Sequence, residues 1–183
     1  MAGYIGNYPT AVPLTGADLT DGIITVNKLA STLDLSSKTI TLPSGVGGKV
    51  LQVVNGTSAT EVGSSSATLA DTGLSASITP SSTSNKILVL LAEQSLGKVG
   101  SNYLSLALLR NGSQIADLGT SIAYTADAST NRVGGSGLCY LDSPNTTSSV
   151  TYKTQFGSTT GGSSVAVQIN NSLSTITLME IAG

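Results

Sequence analysis

Histidine and tryptophan are absent from this chain of 183 residues, and cysteine occurs once, as Cys139. Without histidine there are no serine triads and no Cys-His pairs, and the commonest transition-metal ligand is missing. A lone cysteine closes no intrachain disulfide, so thiol usage leaves the redox compartment undetermined. In the alternating run 132–142, Cys139 is expected to pack as a small apolar side chain. It has no imidazole to activate it as a nucleophile.

Charge is nearly as scarce. Asp, Glu, Lys and Arg make up 10% of the residues, where ordinary soluble domains carry about 25%. The eight basic residues stand singly, so no basic stripe exists to neutralise phosphates, and nucleic-acid binding is not expected. The longest apolar stretch, 87–92, falls far short of the roughly 20 residues that span a bilayer. The opening MAGYIGNYPT has neither the basic region nor the apolar core of a signal peptide, so neither membrane insertion nor secretion by that route is expected. Low charge with 39% hydrophobic residues is not the composition of a disordered chain. A surface this poor in charge suits a protein that lives outside the cytosol or stays assembled.

What is present divides near residue 48. Residues 49–183 repeat short alternating apolar/polar runs broken by Gly, Asn, Ser and Pro, the period-two pattern of strands. The expected fold is all-β, an antiparallel β-sandwich head of jelly-roll-like plan behind an extended N-terminal leader, residues 1–48. The leader has too few large side chains for a core of its own. Tyr4, Ile5 and Tyr8 are its candidate anchors to a larger particle, with Pro9 and Pro13 limiting the entropy lost on docking.

In the head, two hairpins are expected around Asn-Gly pairs, Asn55-Gly56 and Asn111-Gly112, because both residue types tolerate positive φ. Further strands are expected at 68–70, 74–79, 86–92, 133–141, 150–156, 164–170 and 175–181. Residues 116–131 read as a long exposed loop, and no helix of useful length is expected. In 150–156, Val150, Tyr152, Thr154 and Phe156 should face inward. Runs 87–92 and 175–181 are apolar on both faces, more than one sandwich core absorbs. Leu88, Leu90, Met179 and Ile181 are therefore candidates for a subunit interface, and a homotrimer is expected.

Catalytic patterns are missing. Glycan hydrolysis needs two carboxylates held together, whereas the ten acids stand apart and read as solvated turn residues. Asp18 and Asp21 in DLTDG lack the alternating carboxylates of a calcium loop. The Gly pairs precede neither a helix nor a Lys-Ser/Thr step, so they are no phosphate cradle. No cofactor, no metal and no enzymatic activity are expected. Tyr124, Asp127 and Asn131, in the presumed loop, are the candidates for receptor contact, with Tyr103 and Tyr140 expected to be buried.

The segments DLTDGIITVNKLA, SKTITLPSGVGGKVLQVV, ADTGLSASITPSSTSNKILVLL, LLRNGSQIA and STITLMEIAG resemble virion fibre proteins of tailed bacteriophages, especially phages of aquatic cyanobacteria. The resemblance runs from about residue 18 to the carboxyl terminus. It implies a jelly-roll head similar in plan to the trimeric tumour-necrosis-factor type, mounted on other virion proteins such as a tail adaptor, nozzle or capsid. On this reading the protein sits on the tail or capsid surface and takes host surface glycan as a candidate ligand. It is a short fibre or tail-fibre head, or else a capsid decoration protein that stabilises the head shell.

Overall fold

The computed structural model describes residues 49–124 and 129–183. The leader with Tyr4, Ile5 and Tyr8, and Asp127 in the head, lie outside the described residues, and of Asn131 only the backbone is described. The head is all-β. Its strands are β1 (Val50–Ser58), β2 (Val62–Ser64), β3 (Ala70–Ile78), β4 (Lys86–Lys98), β5 (Leu104–Arg110), β6 (Ser113–Ile122), β7 (Asn131–Asp142), β8 (Val150–Ser158), β9 (Val165–Val167) and β10 (Ser174–Ile181). Among the described residues the helical content is a three-residue 3-10 turn, Ile169–Asn171.

Pairing follows a nested order. β1 pairs with β10, β2 with β9, β3 with β8, β4 with β7 and β5 with β6, all antiparallel. The chain is thus a long hairpin rolled up on itself, which is the connectivity of a jelly roll. Its layers separate into one sheet ordered β1-β10-β4-β9-β2 with β7 on the other side of β4, and a second ordered β3-β8-β5-β6. We call them sheet A and sheet B.

Alternation decides what lies between them. On β8, Val150, Tyr152, Thr154 and Phe156 are buried, as the pattern predicts, while Lys153 and Gln155 face out. On β4, Ile87, Val89 and Leu91 point inward. The interior forms two apolar clusters, one around Leu74, Ile78, Ile87, Val89, Tyr152, Ile176 and Leu178, the other around Leu96, Leu104, Leu106, Phe156, Val165 and Val167. On β4 and β8 the switch from one cluster to the other is marked by a polar residue, Glu93 and Thr154. Thr154 Oγ1 donates to Glu93 Oε2 at 3.0 Å and Gln168 Nε2 to Glu93 Oε1 at 2.8 Å. Just beyond Glu93, Ser95 takes φ of 47°, and there β4 changes partner from β10 to β9.

One of the two Asn-Gly expectations holds. Asn111 and Gly112 take φ of 49° and 85° and close the β5–β6 hairpin. Asn55-Gly56 makes no turn, because β1 runs straight through it. Gly56 is needed there for another reason: a Cβ would collide with the backbone carbonyl of Ser75 on β3. The expected 116–131 loop is shorter at its start, since β6 continues to Ile122.

Both termini of the described head meet at one end. The amide of Ala182 donates to the carbonyl of Lys49 at 2.8 Å, and that of Gly183 to Asn85 Oδ1 at 3.1 Å. We call this end proximal. The β4–β5 and β8–β9 connections occupy the opposite, distal end, whereas the β9–β10 connection lies midway along β4, beside Gln94 and Ser95.

Candidate self-association face

The two sheets turn different surfaces outward. On sheet B the outward positions include Asp71, Ser75, Ser77, Ser105, Gln114, Thr151, Lys153 and Gln155. Asp71 takes hydrogen bonds from Lys153 Nζ at 2.9 Å and Gln155 Nε2 at 2.6 Å, which hold its carboxyl below the usual carboxylate range. The apolar members of that face, Ala107 and Leu109, are buried.

Sheet A is the reverse. Its register lines up Val53, Met179, Leu88 and Leu141 in one row across β1, β10, β4 and β7. The next row is Asn55, Thr177, Leu90 and Cys139, and the next is Thr57, Thr175, Ala92 and Gly137. All are uncharged. Val53 is 56% exposed, Leu141 51% and Leu90 37%. Of the eight exposed large hydrophobic residues among those described, Val50, Leu51, Val53, Leu90 and Leu141 belong to sheet A and none to sheet B.

All four residues expected at an interface fall on this sheet. Leu88, Leu90 and Met179 occupy the rows just given. Ile181 pairs with Val50 and Lys86 at the proximal margin. They face outward because their neighbours Ile87, Val89, Leu91, Ile176 and Leu178 fill the core. Sequence reasoning missed Val53 and Leu141. The signal for them was the strand register, which brings β1 and β7 alongside β10 and β4 and cannot be read from either strand alone. Cys139 also departs from expectation: it is exposed on this face and not packed inside, because it shares the parity of Leu141 and not of Leu138 and Tyr140.

The expected receptor contacts do not form a described cluster. Tyr124 is exposed near the distal end, where its ring meets that of Tyr103 edge-on with centroids 5.2 Å apart. Asn131 lies at the start of β7 opposite Lys98. Tyr103 and Tyr140 are half-buried, Tyr140 against the first core cluster. A distal cleft of about 180 Å³ is lined by Glu61, Lys98, Val99, Arg132, Ser164 and Ile169, among others.

The acids are less solvated than their spacing implied. Glu93, Asp142 and Glu180 are buried. Arg110 Nη1 reaches both oxygens of Asp142 at 2.9 Å, and the hydroxyl of Tyr152 donates to Asp142 Oδ2 at 2.6 Å. Burial pushes the Glu93 carboxyl up, only partly offset by the bonds from Gln168, Thr154 and Ser174. Burial acts on Glu180 in the same sense but is outweighed by donors on Asn85, Gln52 and Ser81, which bring it down to about 2. These carboxylates tie strands and loops together, and none shares a site with two other acids, cysteines or histidines able to hold a metal ion among the described residues.

Compared with known proteins, the chain matches no family model and no curated sequence.

Proposed function

We propose that this chain is a non-enzymatic structural protein of a bacteriophage particle, a short trimeric fibre head that attaches by its N-terminal segment and contacts the host surface. The observation that carries the reading is the contrast between the two outer faces. Sheet B is wetted by Ser, Thr, Gln and a Lys–Asp pair, while sheet A offers a row of Val, Met and Leu beside two uncharged rows that add Leu90, Cys139 and Ala92 among Asn and Thr, with Lys86 only at the proximal margin. Exposed apolar patches of this kind mark association surfaces. A second copy of the same face is the fitting occupant, because an uncharged surface offers a charged partner nothing to pair with and leaves its charges desolvated. Nested jelly-roll connectivity supports the trimeric plan that the resemblance to phage fibre proteins implies.

Other features agree with this reading. The head begins at Lys49 on the proximal end, so the distal connections, with Tyr124 and the cleft beside Lys98 and Arg132, are displayed away from that point. A display end and an entry end on opposite sides suit a protein held at one end and touching a surface at the other.

Two measurements test the proposal. Light scattering on the full chain should give three times the chain mass, and a stable monomer would refute the trimer. Electron microscopy of particles labelled with an antibody to the head should show label at the tail. Label over the whole shell would replace the fibre by a capsid decoration protein, and unlabelled particles would remove the virion assignment altogether.

A further inference from the structure

β1 is an edge strand of sheet A and takes all its strand pairing there from β10. The two are in register at eight positions, from Val50–Ile181 to Ser58–Ser174, with one irregularity between Val50 and Gln52. Side chains reinforce the pair along its length. Gln52 Nε2 donates to Glu180 Oε2 at 2.6 Å, and Asn55 Nδ2 to Thr177 Oγ1 at 2.9 Å. Farther up, Ser58 Oγ donates to Gln168 Oε1 at 3.0 Å, just before the chain turns into β10. Glu180 in turn holds the β3–β4 connection through Ser81 and Asn85.

We infer that the β1–β10 pair is a mechanical clamp that resists load entering the head at Lys49. The direction of pull decides how an antiparallel pair fails. Tension that draws β1 out along its own axis, against a head held at its distal end, puts every rung of the ladder under stress together. All must give way before the strand slides. Tension between the two ends that meet proximally, Lys49 and Gly183, opens the same ladder one rung at a time. Hydrogen bonds that are individually weak resist strongly in the first geometry and weakly in the second, and rupture under force reports the unfolding barrier and not equilibrium stability. An appendage anchored ahead of Lys49 and gripped at its far end is loaded in the strong direction.

The inference rests on the reading of this chain as a load-bearing appendage. The force measurement uses free protein, however, and stands or falls without any particle. Single-molecule pulling on the full chain, in a Cys139→Ser background, compares two attachments. One joins the amino terminus to a thiol introduced by Leu173→Cys, at the start of β10 and so at the end of that strand farthest from Lys49, where the side chain is 57% exposed. The other joins the amino and carboxyl termini. The expected result is a rupture force several-fold higher for the first attachment. Combining Gln52→Ala with Asn55→Ala should lower that force and leave the terminus-to-terminus force nearly unchanged. Equal forces in the two directions, or a higher force between the termini, would overturn the clamp. So would a double variant that weakens neither or both alike.

Discussion

The carboxylate of Glu180 accepts a 2.6 Å hydrogen bond from the side-chain amide of Asn85, 95 residues earlier in the chain. Ser81 adds its backbone amide at 2.6 Å and its hydroxyl at 2.8 Å to the same oxygen, and Gln52 takes the other. One buried charge thereby fastens β1, β10 and the β3–β4 connection at the end where the head begins.

Replacing Glu180 with Gln should destabilise the head by about 1–3 kcal/mol at neutral pH, because an amide turns a donor toward groups that themselves donate. The folded carboxyl is held at about 2, below its ordinary 4.5. Its contribution is therefore complete above 4.5 and is lost as pH falls from there toward 2. Melting temperatures of wild type and variant should differ most at neutral pH and converge through that acid window. A difference independent of pH would disprove the charge-based account.

Glu93 should behave in the opposite sense. Its carboxyl is raised above the ordinary value by burial, so its favourable contribution is present below about 4.5 and is lost as pH rises through the folded value. Glu93→Gln keeps an acceptor for Gln168 and removes the buried charge. The variant should gain on wild type as pH rises, and its melting temperature should vary less between pH 4 and pH 8, on the order of the window set by the two carboxyl states. Thermal melts that run parallel across that range would contradict this.

On sheet A, Leu90→Lys should give folded monomers. The position is partly exposed and outside the core, so the fold survives, but an unpaired charge buried between copies costs several kcal/mol. Ser77→Lys on sheet B, also an exposed position, is the control and should leave the mass unchanged. Sedimentation that finds the same mass for wild type and Leu90→Lys would rule out this face as the interface.

Gly56→Ala tests why an Asn-Gly pair sits in mid-strand. The added methyl meets the carbonyl of Ser75, backbone that yields only by moving β1 from β3. A loss of about 1–3 kcal/mol is expected in chemical denaturation. A neutral result would mean that the strands separate there without cost.

Much of the fold was legible because burial here follows parity. Strand β8 could be read from alternation, and β5, β10 and the first half of β4 from short apolar runs, whereas 93–98 of β4 was missed. The outward assignment of Leu88, Leu90, Met179 and Ile181 followed from an excess of apolar residues over what one core holds. What stayed hidden depends on pairs distant in sequence. Asn55-Gly56 and Asn111-Gly112 are the same dipeptide; pairing with Thr177 and Ile176 on the distant β10 keeps the first in a strand, and β3 packs against its glycine. Glu93 and Glu180 looked like solvated acids because their partners, Gln168, Thr154, Asn85 and Ser81, lie far along the chain or in a loop without pattern. Cys139 was assigned the wrong face because the glycines at 134, 135 and 137 carry no side chain to mark which parity is inward.

The bond between Ala182 and Lys49 closes the roll into a ring in all but covalent terms. Tied by a few residues, the strands would run in cyclic order, and the core would be indifferent to where that circle is cut. A chain joined there and reopened between Gly161 and Gly162, at the distal end, should keep the same sandwich with its ends reversed, so that whatever is fused ahead of the first strand is presented where the head now faces outward.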